Sequence, residues 1–174
     1  MARFVEMRRH TDNDGDVLTP EGVAAALRLG VALAGGYRVA VSTGAQRATQ
    51  TVGCLLAALG EVVPDGLVVE PGLRSAREDR WRSLYKEAGS GELAAMRSTD
   101  PEFVAREAAA LGAALGRVLD RLGDGDRALA VGHSPTHEAA VLGLTGDLIA
   151  PLAKGAGVLI TEDHGSFRVD PLDP

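Results

Sequence analysis

The chain has one cysteine, Cys54, so no disulfide can form within it and nothing in it calls for an oxidising compartment. Cys54 lies in "TVGCLLAAL", an apolar helical context that reads as a buried, inert position. Lysine is scarce: of 18 basic residues only Lys86 and Lys154 are lysines. Net charge is −6 and the pI is about 5.2, which argues against the basic face of a nucleic-acid binder but leaves room for a small positive pocket. No stretch reaches the roughly 18 uninterrupted apolar residues of a membrane span. The stretch "MARFVEMRRH" lacks the apolar segment and small-residue cleavage site of a secretory signal. These absences lead to the expectation of a cytoplasmic protein with no membrane or nucleic-acid partner. Arginine, alanine and glycine are abundant together, as GC-rich coding produces, so arginine number alone is no argument for anion binding.

What is present suffices for a core. Of 174 residues, 45% are hydrophobic and 24% charged, which fits one globular domain over 1–174. Short apolar runs read as strands at 3–7, 37–43, 66–71 and 127–133. Amphipathic stretches read as helices at 19–36, 45–59, 100–123 and 134–146. Thr19 and Asp100 are N-cap candidates followed by Pro20 and Pro101, and Ser134 is placed as the cap of the last helix before Pro135. Residues 157–163 and 166–170 read as a closing hairpin. Segment 71–99 is the least regular part, a helical excursion with a Gly-Ser break. This alternation predicts an α/β fold: a three-layer α/β/α sandwich with a largely parallel central sheet.

In such sheets ligands bind beyond the carboxyl ends of the strands. The first strand runs out into Arg9–His10, the second into "STGAQR" with Arg47 just inside the next helix, and the fourth into "GHS" with His133 before a helix start. These ends converge on one rim, beside helix N-termini that favour anions. Neighbouring guanidinium groups disfavour the protonated imidazole. A neutral histidine among fixed cations is suited to attack an anionic centre.

Three segments carry a resemblance. "RRHTDND…LTPEGVAAALRLG", "VSTGAQRATQT" and "ALAVGHSPTHEAAV" resemble, in order and spacing, the three blocks of the histidine phosphatase superfamily, with its phosphoglycerate-mutase-like fold. The short bacterial phosphohistidine phosphatases are the nearest branch in length. The resemblance implies that His10 is the nucleophile that becomes phosphohistidine. It implies that Arg9 and Arg47 hold the phosphoryl oxygens and that His133 faces the group from the other side. No metal or organic cofactor is then needed. Thr11, Asp12, Ser134 and His137 are placed around the substrate.

Two positions depart from the family pattern. Thr11 replaces the glycine that usually follows the nucleophile, so it either narrows the pocket or donates its hydroxyl into it. Ser75 of "GLRSARED" stands where the family commonly carries its general acid. Glu78 is the first substitute for that role and Asp12 the second. With no acid, activated or nitrogen-bound phosphates become the better substrates, because general-acid help is worth about 10²–10⁴ in rate.

Other features have plainer readings. "DNDGD" lacks the downstream glutamate of a calcium loop and reads as a solvated turn. His133 and His137 do not form a zinc "HExxH" pair. His164 falls in a hairpin turn. The charges of 74–87 serve equally as a lid or as a salt-laced helix face. The expected function is a metal-independent phosphatase acting on a phosphorylated small molecule. Two alternatives remain open: a phosphatase of protein-borne phosphohistidine, and a non-hydrolytic phosphate-ligand binder or a member of the fold reused for other chemistry.

Overall fold

The inner strands are apolar on both faces, so the sheet has to be covered twice. In β4 (Tyr37–Ser42), Val39 and Val41 enter one core and Ala40 the other; in β6 (Arg127–Gly132), Ala128 and Ala130 oppose Leu129 and Val131. The computed structural model describes Met1–Pro174 and shows the three layers. The six-stranded sheet has the order β5-β4-β6-β1-β7-β8, with β1 at Arg3–Arg9, β5 at Leu67–Val69, β7 at Gly157–Asp163 and β8 at Ser166–Leu172. The pairs β5·β4, β4·β6 and β6·β1 are parallel; β7 and β8 form the antiparallel closing hairpin. A small hairpin, β2 (Asn13–Asp14) and β3 (Val17–Leu18), occupies the acidic turn after β1.

One face is covered by α1 (Pro20–Ala32) and α2 (Gln46–Leu59), whose Ala48, Val52 and Leu55 pack on Ala40, Leu129 and Val131. The other is covered by α5 (Pro101–Leu119) and α6 (Thr136–Thr145), within a cluster of 26 buried residues. These two helices touch backbone to backbone: a Cβ at Gly143 would stand 1.8 Å from the Ala108 carbonyl, so only glycine fits. The excursion forms a short 3-10 turn (Pro71–Leu73), α3 (Glu78–Ala88) and α4 (Leu93–Thr99), with the break at Gly89–Ser90–Gly91. Trp81 on α3 meets Phe103 on α5 edge-on at 4.9 Å and ties the excursion to the core.

Several expected boundaries move. Thr19 does cap α1, accepting from the Gly22 amide at 3.0 Å, and Asp100 caps α5, accepting from Phe103 at 3.1 Å. However, α1 stops at Ala32 and α5 at Leu119, short of 36 and 123, because loops at 33–36 and 120–126 are needed to reverse the chain into β4 and β6. Ser134 caps nothing: α6 begins at Thr136, and the Ser134 hydroxyl donates to Glu138 at 2.5 Å. Cys54 is helical but only half-buried, on the rim of α2 rather than inside it.

Of the two arginines before His10, Arg8 belongs to the scaffold. Its Nε donates to Glu6 at 2.8 Å, and its NH1 donates to the carbonyls of Gly155 and Asp173 at 3.1 and 2.5 Å. The Tyr37 hydroxyl donates to the other Glu6 oxygen at 2.7 Å. Burial, then the bond to Glu6, hold the Tyr37 hydroxyl above its usual range. This buried network fastens the C-terminal residues to the first strand.

Candidate active site

The parallel strands β4, β6 and β1 end side by side. Arg9 pairs in register with Gly132, and the His10 amide donates to the Gly132 carbonyl at 2.9 Å. His10 and His133 therefore leave neighbouring strand ends together. Their ring centroids are 5.4 Å apart with the planes tilted by 57°. Above them opens a cavity of about 550 Å³ whose lining includes Arg9, Arg47, Ser75, Glu78, His133 and Ser134. His10 is 5% exposed and lies just behind this wall, against His133.

The imidazoles are held in defined orientations. His10 Nδ1 lies 2.8 Å from the Thr11 carbonyl, an acceptor, so Nδ1 carries the proton and Nε2 keeps its lone pair. Burial first, then the charges of Arg47, Arg9 and Lys154, lower the His10 pKa to about 4 against the raising effect of the Thr11 bond. His133 Nε2 is 2.8 Å from the Thr43 hydroxyl, and its buried Nδ1 has no partner. Burial followed by the charge of Arg47 lowers its pKa to about 2.

The cations are positioned by backbone and carboxylates. Arg9 NH1 donates to the Leu152 carbonyl at 2.8 Å, while its buried Nε has no partner. Arg47 NH1 donates to Asp16 at 2.7 Å, and its NH2 is 4.0 Å from Glu78. Glu78 in turn accepts from Arg74 Nε at 2.6 Å. The free Arg9 Nε and His133 Nδ1 are donor and donor-or-acceptor positions at the edge of one cavity, which an anion can satisfy.

Three residues do not stand where sequence reasoning put them. Thr11 is buried and donates its hydroxyl to the Gly22 carbonyl at 2.8 Å, so it neither donates into the cavity nor lines it. A helix α1 that begins close beneath it supplies that acceptor. Asp12 is turned to Lys154 at 2.7 Å and to the Thr19 hydroxyl at 2.8 Å, away from the cavity. His137 is fully buried, with Nε2 donating to the Arg8 carbonyl at 3.1 Å; it packs so tightly that a Cβ at Gly132 would stand 2.6 Å from its ring. Ser134 does line the cavity, but as a partner of Glu138.

Three contributors were missed. Glu138 is buried, and its Oε1 accepts from Ser134 and from the Leu152 amide at 2.9 Å; burial raises its pKa. Asp16 in the "DNDGD" turn accepts from the Gln46 and Arg47 amides at 3.1 and 3.4 Å, capping α2 as well as holding the Arg47 side chain. Glu107 accepts from both the Ser75 hydroxyl and Trp81 Nε1, the latter at 2.9 Å. The one available signal was a glutamate, Glu138, directly before the apolar run of α6.

No family model matches the chain, and no curated protein matches it. Solved structures do match it over nearly its whole length. A phosphoserine phosphatase from Entamoeba histolytica, in complex with 3-phosphoglyceric acid, aligns with TM-score 0.73 at 15% identity, covering 99% of this chain and 98% of that one. A phosphoglycerate mutase from Bacillus anthracis aligns with TM-score 0.69 at 18% identity, over 98% and 92%. The SixA putative phosphohistidine phosphatase from Agrobacterium tumefaciens aligns with TM-score 0.59 at 16% identity, over 98% and 97%. The chain has the fold of these structures, which is phosphoglycerate-mutase-like.

Proposed function

We propose that this chain is a phosphatase that hydrolyses a phosphorylated small molecule through a phosphohistidine on His10, without a metal. The observation that carries this reading is the pair of imidazoles 5.4 Å apart at the strand ends, with Arg9 and Arg47 on the same cavity. His10 Nε2 attacks phosphorus as the bond to the leaving oxygen breaks. Arg9, Arg47 and His133 hold the equatorial oxygens, where charge is spread in the transition state. The two guanidinium groups supply positive charge in fixed geometry, which is the electrostatic work the step requires. Glu78, at the cavity and beside Arg47, gives its proton to the leaving oxygen. Water then attacks the phosphohistidine, the P–N bond breaks, Glu78 accepts the water proton and phosphate leaves. Phosphate release from 4-nitrophenyl phosphate and from alkyl monoesters, with chelator present, tests this reading. It is expected in the native protein and lost in His10→Ala.

A second reading has its own support. Ser75, where the family commonly has its acid, is occupied by Glu107, and Glu78 is engaged by Arg74. A site short of a free acid suits a leaving group that needs little protonation, such as the nitrogen of a protein-borne phosphohistidine. Turnover of a phosphohistidine protein with none of alkyl monoesters would favour this second reading. Phosphate binding without any turnover would make the chain a phosphate-ligand binder.

A further inference from the structure

We infer that the outer half of the cavity is a leaving-group subsite for a planar, mostly apolar group that carries a second negative charge, with Trp81 and Tyr85 as its walls and Arg82 as the anchor for that charge. This rests on the phosphoryl reading of the inner half. A phosphoryl group takes the room of a few waters, at about 30 Å³ each, which leaves most of the roughly 550 Å³ to something else.

Beside its polar residues the cavity wall carries two aromatic and two aliphatic side chains. Trp81 is fixed by its indole bond to Glu107 and its edge contact with Phe103, so its cavity-facing edge is preorganised. Tyr85, one turn further along α3, lines the same space and is 55% exposed. Its ring rests on the α3–α4 break, where a Cβ at Gly91 would approach Cε2 to 3.3 Å. Met96 and Leu152 complete the wall. An exposed aromatic ring beside a fixed indole is a surface on which a flat group can stack, gaining apolar burial and offset-ring contact. A polyol leaving group offers neither.

The charge at the mouth points the same way. Two neighbouring arginines of this segment are neutralised, Arg74 by Glu78 and Arg80 by Glu87 and Asp100 at 2.7 and 2.6 Å, and Arg77, though unpaired, does not line the cavity. Arg82 lines the cavity, is exposed, and forms no ion pair or hydrogen bond with the protein. It presents a free guanidinium to the same cavity, one residue along α3 from Trp81. The substrate class that uses all of these features is an aryl or arylmethyl phosphate with a carboxylate or second anionic group distal to the phosphoryl end.

Calorimetric titration with methylphosphonate, benzylphosphonate and 4-carboxybenzylphosphonate tests the subsite independently of turnover. Benzylphosphonate is expected to bind about tenfold more tightly than methylphosphonate, and Tyr85→Ala to remove most of that gain. The carboxylate is expected to add about threefold more, and Arg82→Ala to abolish that increment while the benzyl gain remains. Equal affinity for methyl and benzyl compounds, a carboxylate increment that survives Arg82→Ala, or no phosphonate binding at all would overturn the subsite. Turnover of 4-nitrophenyl phosphate reports separately on the phosphatase reading. Turnover with a flat phosphonate series removes only the subsite, and the graded series without turnover removes only the phosphatase.

Discussion

Arg9 and Glu138 are joined through a single residue. Leu152 accepts from Arg9 with its carbonyl at 2.8 Å and donates to Glu138 with its amide at 2.9 Å. Glu138 also receives the Ser134 hydroxyl, so one buried carboxyl group sets the chain segments on both sides of the proposed phosphate-binding edge. Burial raises the pKa of this carboxyl, against the opposing bonds from Ser134 and Leu152 and the charge of Arg9.

Glu138→Gln keeps an acceptor for both donors, and it is expected to leave KM and stability near those of the native protein at neutral pH. Glu138→Ala strands the Ser134 hydroxyl and the Leu152 amide. It is expected to cost about 2 kcal/mol in urea unfolding and to raise KM about tenfold through a displaced Arg9. Steady-state kinetics beside unfolding curves separates the two effects, and an unchanged KM in Glu138→Ala would remove Glu138 from the positioning of Arg9.

Arg8 is expected to matter for stability rather than catalysis. Arg8→Met leaves the buried Glu6 with Tyr37 and a distant Arg127 at 3.8 Å, and frees the Gly155 and Asp173 carbonyls. Loss of one partner of a buried ion pair costs about 3 kcal/mol. Chemical denaturation should show that loss, with kcat of the residual folded protein little changed.

Acid should destabilise the fold through its histidines. The pKa values of His10 and His137 fall to about 4 and that of His133 to about 2, burial being the largest cause in each. An unfolded histidine titrates near 6.5. Between pH 6.5 and 4 the unfolded chain thus binds more protons than the native one, and stability falls as pH falls. Each buried histidine contributes a slope of at most about 1.4 kcal/mol per pH unit. Unfolding free energy measured from pH 7 to 4.5 checks the sign, and His137→Gln is expected to flatten the slope. The same shifts keep His10 neutral, and so nucleophilic, throughout that range; imidazole NMR titration should show its signals flat from pH 8 to 5.

Asp16 fixes Arg47 from outside the cavity while capping α2. Asp16→Ala should loosen both, with KM for phosphate esters rising and a loss of about 1 kcal/mol in stability from the missing cap. Asp16→Asn should restore the cap and most of the stability, so kinetics and unfolding of the two variants part the roles.

The sheet and the rim were legible because they are local. Apolar runs of the right length mark β1, β4 and β6, and the residues that follow each run are by construction at the ligand edge. Helix starts at Thr19 and Asp100 were legible for the same reason, as cap chemistry is written within four residues. Ser134 misled because α6 begins two residues later, at Thr136, and the Ser134 hydroxyl donates to Glu138 with no helix amide bonding to it. Thr11 and His137 were assigned to the substrate from nearness in sequence, yet their partners, Gly22 and Arg8, belong to other elements. The role of Glu138 depends on Leu152, and that of Asp16 on Arg47, 31 positions away. Such pairings are made by the tertiary fold, and no periodicity encodes them.

The most direct test of the central claim is capture of the phosphorylated protein. Rapid quenching with a radiolabelled phosphate ester should yield a label on the native chain that is stable to alkali and lost in acid, as a phosphoramidate bond requires. The label should map to His10 and be missing from His10→Ala. A native protein that releases phosphate with no such label, or a His10→Ala variant that still turns over, would contradict the account.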